Sequence, residues 1–555
     1  MPQRNTMSAS EPPWPLNVYR VPLAAAHDVE MRHQINLKTK LRQEKHMIGR
    51  KIWVATLIAG LAACSLVRAQ DAIKINSENP KYLLFRGKPL VLITATEHYG
   101  SVVNRPFDFE KYLDDAAKHK MTMTRTFLLF RELQSPRNPS SPLKPESPDY
   151  ISPFVRSGPG NALDGEPIYD LDLWNPEYFE RLHRFLDDAS KKGIVVELTL
   201  FSNTYGDTVW ALNPFRAENN MQHVGDIGWE EYTSLKDPEL VRRQKAYARK
   251  IIDETSGYDN VYYEVCNEPG GGIPGHVTPA DVDAWQKEMA RVMRDEMRRL
   301  GHPHLLSGQQ AFTYGTKNMF PEDASFADKT FDIVNDHPLP NTHFGGHVYD
   351  MGNFMSKELR LGQVADFCKA AYLHAKPTVL DEDNAASLYR DTTGWTIHRK
   401  RAWTALLNGC HYDYIDFSVT VGSESGTPAS QREIRTWMQH LSEFMASFDF
   451  VHSKLGISWI AKYPANLLAS GLSASEDDYI AYLADSRELT DPSAGKAIRG
   501  SISLSLPPGS YNVSLYSPVT GEYSPAIEIK GGGRSVLTLP QFRQDIVIRA
   551  TRREN

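Results

Sequence analysis

Two glutamates in this chain of 555 residues close apolar runs of strand-like composition. Glu268 ends Val261-Tyr-Tyr-Glu-Val-Cys-Asn267-Glu268 and is followed by Pro269 and Gly270-Gly-Gly272; Glu382 ends Lys376-Pro-Thr-Val-Leu-Asp381-Glu382, with Asp383 next. Two carboxyl groups held about 5–5.5 Å apart can cleave a glycosidic bond with retention, one protonating the leaving oxygen while the other attacks the anomeric carbon. The acid needs a raised pKa and the nucleophile the reverse, so the two require unlike surroundings. An Asn-Glu pair alone carries nothing, because about one is expected by chance at this length. The weight lies in the β-rich run before it, the helix-breaking segment after it, and the second strand ending in Glu. Among Asp381, Glu382 and Asp383, strand alternation selects Glu382 for the mouth and puts both aspartates on the opposite face. The bland alternative is a pair of loop-end acids in ion pairs.

Such residues need strands to hold them. Eight short apolar runs predict strands at Leu90–Ala95, Met123–Leu129, Val195–Phe201, Val261–Cys266, His304–Gly308, Phe331–Asn335, Thr378–Leu380 and Asp413–Val419, separated by amphipathic helical stretches. Helix signals are readable: Asn175-Pro176-Glu177 opens a helix that Gly193 closes, Thr278-Pro279 opens another, and Ser430 with Glu433 forms a capping box. The alternation predicts a (β/α)8 TIM barrel over residues 75–452, with catalytic groups at the carboxyl ends of its strands. Two βα connections are long: Ser135–Pro167 with eight prolines, and Ser202–Lys236 with Tyr205, Trp210, Phe215 and Trp229. Beyond residue 455, period-two runs at Ile502–Leu506, Tyr511–Tyr516, Val536–Leu539 and Ile546–Ile548 predict a small β-sandwich over 455–555, without a clear aromatic platform for glycan.

The constellation resembles clan A of the glycoside hydrolases, the cellulase-like TIM barrels in which an acid/base follows Asn at the end of strand four and a nucleophile ends strand seven. The resemblance covers about residues 85–450, and the downstream sandwich resembles the small domains that often follow such barrels. It implies that Glu268 is the acid/base, Asn267 the donor to the sugar 2-hydroxyl, Glu382 the nucleophile and Arg125 the guanidinium that keeps Glu382 ionised; a barrel-mouth ion pair is the other account of Arg125. His337 matches the histidine often seen after strand six. Two features depart from the clan. His337 is followed by Pro-Leu-Pro instead of an aromatic hydroxyl, leaving Tyr349 as the candidate, and no strand-eight Trp is evident, leaving Tyr414 or Trp395. His98 and Tyr99, after strand one, suit a subsite or a structural corner. Asn203 stands at the end of strand three, and Trp210 and Trp229 serve as sugar platforms or as loop packing.

Composition narrows the alternatives. With 41% hydrophobic residues the chain can bury more than one core, and a net charge of −6 spread along it argues against nucleic acid as a partner and suits a neutral carbohydrate. Met47–Ala69 has the charged start and apolar stretch of an export signal too short to span a bilayer, which implies a secreted or periplasmic protein. Cys64 fits a lipoprotein pattern, and residues 1–46 are expected to be a non-native extension. Cys266, Cys368 and Cys410 are expected to be free and buried. No cofactor or metal is expected, as no C-x-x-C or strand-one His-x-His is present. Two further function classes are weighed: a catalytically inactive carbohydrate-binding protein on the same fold, and a metal-dependent barrel hydrolase using His337, His343 and His347.

Overall fold

The computed structural model describes residues 72–96, 101–129, 148–270, 277–308, 326–337, 343–344, 347–348, 360–383, 392–415, 428–474, 477–488 and 491–554. The export segment, the 1–46 extension, Cys64, His98, Tyr99 and Tyr349 lie outside the described residues.

Eight strands, β1 (Ile93–Thr96), β2 (Met123–Phe127), β3 (Val195–Ser202), β4 (Val261–Asn267), β5 (Leu306–Gly308), β6 (Ile333–Asp336), β7 (Thr378–Asp383) and β8 (His411–Ile415), form one sheet. Their order is β1-β8-β7-β6-β5-β4-β3-β2, and every pairing is parallel. Thr122 bridges the remaining gap: its amide donates to the Ile93 carbonyl (3.0 Å) and its hydroxyl accepts from the Ile93 amide (2.9 Å). The sheet is the barrel that the alternation predicted.

Seven helices wrap the described part: α1 (Phe109–Lys118), α2 (Pro176–Lys192), α3 (Pro238–Thr255), α4 (Pro279–Leu300), α5 (Leu361–Ala371), α6 (Thr392–Leu406) and α7 (Pro428–Ala446). Asn175 caps α2 through the Glu177 amide and left-handed Gly193 (φ 74°) ends it, as the sequence indicates. Thr278 and Asp281 form a reciprocal capping box on α4. Ser430 does not stand at the cap of α7, because the helix starts at Pro428 and places Ser430 inside its first turn.

The barrel interior is layered by strand parity. Met123, Val195, Tyr262, Ile333 and Val379 plug one end together with Leu83 and Phe85 of a small amino-terminal sheet. Two residues further along each strand the interior turns polar, with Arg125, Glu197, Glu264, Asn335 and Asp381, all fully buried. The candidate site is built on that polar layer.

The carboxyl-terminal strands are β9 (Ser453–Leu455), β10 (Ile460–Lys462), β11 (Leu467–Ala474), β12 (Asp478–Asp485), β13 (Ile498–Leu504), β14 (Ser510–Tyr516), β15 (Ile527–Lys530), β16 (Ser535–Phe542) and β17 (Asp545–Arg552). They make two antiparallel sheets, β9-β11-β12-β17-β14-β15 and β10-β13-β16. The first four of these strands and β15 were not anticipated, and β11 and β12 show one reason. Both are buried on two faces, so period-two alternation disappears. One face, with Leu472, Ile480 and Tyr482, joins the barrel's core, while the other, with Leu467, Ala481 and Leu483, packs on the small sheet. Asp71–Asn555 therefore form one compact unit. Cys266, Cys368 and Cys410 are free and buried, as expected. Among the described residues no helix is long and apolar enough to cross a membrane.

Candidate active site

Glu268 directly follows β4 and Glu382 lies near the end of β7, and both have left-handed backbones, with φ of 42° and 51°. Each such residue costs roughly 1–3 kcal/mol and persists only where its surroundings over-determine it. On β7 the pairing with β8 slips between Leu380 and Asp383, so Asp381 and Glu382 together face the single residue Asp413. This bulge corrects the alternation argument. Val379 and Asp381 both point inward, and strict alternation would send Glu382 outward. The bulge instead turns the Glu382 carboxylate to the mouth and sends Asp383 out toward α6. Glu382 is the mouth acid, but Asp381 shares its Arg125 partner and does not face away from it.

Arg125 organises the polar layer. Its Nη1 donates to Glu382 Oε1, its Nε to Glu264 Oε2 (3.0 Å) and its Nη2 to Glu264 and Asn267 Oδ1 (2.8 Å), with Asp381 Oδ2 at 3.2 Å from Nε. Glu264 also accepts from the Thr199 hydroxyl (2.7 Å), and Asn335 Nδ2 donates to Asp381 (2.6 Å) and Glu264 (3.2 Å). One guanidinium cannot neutralise so many buried acids. Burial and the neighbouring Asp381 push the Glu197 and Asp413 carboxyls well above the carboxylate range.

Glu268 is held from two sides. His337 Nδ1 lies 2.9 Å from its Oε1, and the Tyr205 hydroxyl donates to its Oε2 at 2.6 Å while accepting from Asn267 Nδ2 at 2.9 Å. His337 Nδ1 is also 3.8 Å from Glu382 Oε2. One ligand-type atom from each of Glu268, His337 and Glu382 lies within 4.8 Å of the others, so one carboxylate oxygen of Glu268 and one of Glu382 are no more than 4.8 Å apart.

The same trio has the composition of a metal-ligand set, but its carboxylates already hold protein partners, Glu268 bonding His337 and Tyr205 and Glu382 bonding Arg125. A divalent ion there would have to break the His337–Glu268 hydrogen bond and sit beside Arg125. The other two histidines of the metal hypothesis lie on a short antiparallel ribbon, His343 in register with Val348 and His347 with Phe344.

The electrostatics differ from the division of roles that the sequence suggests. Burial would raise Glu268, but hydrogen bonding to His337 and Tyr205 with the charges of His337 and Arg125 brings it below its ordinary value. Burial pushes Glu382 up to about 7, against the pull of Arg125 and His337 and helped by Glu268 and Asp381. Burial alone would lower His337, yet the two glutamates lift it to about 9. In the free site the proton that an acid/base needs therefore rests on His337, hydrogen-bonded to Glu268.

The remaining expected residues separate into two groups. Asn267, Arg125 and His337 are at the site, and Asn203 supports its rim: Asn203 Oδ1 accepts from the Tyr205 amide (3.1 Å), and its own amide donates to the Asn267 carbonyl (3.1 Å). Trp210 is elsewhere. At 1% exposure, with Nε1 donating to the Ile227 carbonyl (3.2 Å) and its ring against Tyr232 (5.1 Å), it has no face to offer a sugar and packs the long insertion. Trp229 also packs on the core. Trp395 and Tyr414 are buried against each other and His398 between β8 and α6, outside the barrel, so neither replaces the clan's strand-eight Trp.

Tyr205, three residues past the end of β3, stood out in the sequence only as one of four aromatics in the long insertion, with nothing to set it apart as a site residue. Glu197, Glu264 and Asp413 had a signal, a charge at inward parity within an apolar strand.

Comparison with known proteins follows the same lines. A family model described as a domain of unknown function (DUF6298) matches residues 145–276. No curated protein matches. Among solved structures, one titled glycoside hydrolase aligns with a TM-score of 0.54 at 13% identity, covering 87% of this chain and 97% of its own. A glycoside hydrolase family 5 structure from Bacteroides vulgatus ATCC 8482 aligns at 0.54 and 12%, covering 87% and 93%. A second from that organism, titled a putative glycoside hydrolase, gives 0.56 and 13%, covering 87% and 82%. The likeness is one of fold. The barrel with its trailing sandwich is similar to the clan A architecture that the motifs suggested, over most of the chain.

Proposed function

We propose that this chain is a retaining glycoside hydrolase acting on an oligo- or polysaccharide by double displacement, with Glu268 as acid/base and Glu382 as nucleophile. The observation that carries the proposal is the approach of the two carboxylates to within 4.8 Å across the barrel mouth, close to the separation retention uses. An inverting pair needs roughly 6.5–9.5 Å to admit a water.

The roles follow from the neighbours. Arg125 bonds Glu382 and favours its carboxylate, which attacks the anomeric carbon as the glycosidic C–O bond breaks. Glu268 gives the leaving oxygen its proton. In the free site that proton is on His337, and a shift along the 2.9 Å Nδ1···Oε1 contact turns imidazolium and carboxylate into imidazole and carboxylic acid with no change in total charge. In the second step Glu268 takes a proton from water, which then opens the glycosyl ester. Asn267, between Arg125 and Tyr205, is the proposed partner of the sugar 2-hydroxyl. Export through the Met47–Ala69 segment belongs to the same proposal and is tested by sequencing the amino terminus of the mature protein.

The test is a panel of aryl glycosides and polysaccharides, with wild type beside Glu268→Ala and Glu382→Ala and NMR detection of the first anomer released. Retention with both variants inactive is the expected result. Inversion would overturn the mechanism, and a wild type that binds sugars but cleaves none would favour the inactive binding protein.

A further inference from the structure

Helix α6 has an unusual burial pattern. From Ile397 to Leu406 every residue is buried, including His398-Arg399-Lys400-Arg401 in succession. A helix buried all round must be covered on both sides, and each buried cation must find a partner. The partners come from two domains. Arg399 makes a bidentate pair with Asp545 of β17 (2.8 and 2.9 Å) and lies 4.1 Å over the Trp437 ring, while Tyr482 also donates to Asp545 (3.0 Å). Lys400 pairs with Glu488 (3.2 Å), whose other oxygen accepts from the Leu361 amide at the start of α5 (2.7 Å). Arg401, about 200° round the helix from Arg399, reaches the barrel and donates to Asp383 Oδ1 (2.7 Å).

Asp383 is the residue after Glu382. Its other oxygen accepts from the Tyr412 hydroxyl (2.8 Å), which contacts His398 Nδ1 (2.9 Å). On the preceding side, Asp381 Oδ1 accepts from the Glu382 amide (3.0 Å) and Oδ2 from Asn335. The left-handed bulge at Glu382 is thus fixed by one buried aspartate before it and one after, and the second is tied to a helix that the sandwich grips.

We propose that Arg401 is a positioning residue for Glu382: through Asp383 it fixes the bulge that aims the nucleophile, and the sandwich anchors α6 through Asp545 and Glu488. This rests on Glu382 being the nucleophile, and it gives the sandwich a role in catalysis without any contact with sugar.

Removing Arg401 alone would leave Asp383 charged and buried, so the informative variant is the double Arg401→Met, Asp383→Asn, with Arg401→Lys as the conservative partner. The expected result is a folded double variant whose kcat falls about 10²-fold, with KM nearly unchanged and the acid limb of its pH profile displaced. Arg401→Lys should recover part of that loss. In a crystal structure of the double variant, the Glu382 carboxylate should have left Arg125. If the double variant does not fold, Arg401→Lys is judged by the same kinetic and crystallographic criteria. A folded variant with wild-type kcat, an unshifted profile and an unmoved Glu382 overturns the proposal. If wild type cleaves no glycoside, the functional reading fails separately and the position of Glu382 in the crystal still decides this one.

Discussion

Glu268 and Glu382 stand at the ends of strands that are not neighbours in the barrel, yet both adopt left-handed φ, and their carboxylates approach to within 4.8 Å. Neither residue is a glycine, so each conformation costs energy that its fixed neighbours must offset: Tyr205 and His337 for Glu268, Arg125 and the flanking aspartates for Glu382. Backbone strain clusters at functional sites, and here both members of one pair carry it.

If the roles are assigned correctly, azide should distinguish them. Glu268→Ala leaves a hole on the leaving-group side, so azide attacks the glycosyl-enzyme and gives the retained glycosyl azide. Glu382→Ala opens the opposite face, and azide there gives the inverted product. Each variant should lose at least about 10²–10⁴ in kcat/KM on substrates with poor leaving groups. Anomeric coupling constants in the azide products check the assignment, and the same anomer from both variants would reject it.

The pH profile follows from the shifted groups. Glu382 must be ionised to attack, so kcat/KM rises as pH increases through about 7. The proton shared by His337 and Glu268 must be present, so activity falls as pH increases through about 9. The expected bell is centred near pH 8, on the alkaline side for an acid-catalysed hydrolysis. His337→Asn should bring the basic limb down, because Glu268 then has to hold its proton without the imidazolium as its source. A profile with its maximum below pH 6 would show that the empty site's protonation does not govern the reaction.

Tyr205→Phe removes a 2.6 Å donor to Glu268 and the acceptor of Asn267 Nδ2. A hydrogen bond to a charged group contributes about 1.5–3 kcal/mol, so kcat is expected to fall roughly 10–100-fold. The Glu268 pKa should rise, moving the basic limb upward, opposite to the effect of His337→Asn. Kinetics across pH on one aryl glycoside measures both effects.

Strand parity explains what could be seen from the sequence. The eight barrel strands were legible because each is a short apolar run set off by capped helices, and Glu268 was legible because a Pro-Gly segment ends its strand. Glu382 lies at the mouth, but the alternation that selected it fails there, since a bulge inverts the face at that point, and bulges leave no composition signal. β11 and β12 were missed because the barrel and the second sheet bury both faces. Trp210 was left open between sugar platform and loop packing because exposed and buried tryptophans in a long insertion look alike in one dimension. Trp210→Ala should accordingly lower stability by about 3–5 kcal/mol in chemical denaturation, with KM little changed in the population that remains folded.

Trp403, fully buried on α6, joins the two domains. Its ring stacks on Tyr482 of β12 (5.6 Å, 20° between planes) and lies near Phe444 of α7 (5.1 Å) and Tyr516 of β14 (5.8 Å). Because Leu472, Ile480 and Tyr482 belong to the same apolar core as the barrel helices, neither part can separate without exposing it. Trp403→Ala should cost about 3–5 kcal/mol and lower one transition shared by barrel and sandwich. Near-ultraviolet circular dichroism and activity, followed together in urea, should lose their signals at the same midpoint in wild type and variant alike. Two separated transitions in wild type would mean that the sandwich folds independently, and its hold on α6 could not then set the nucleophile.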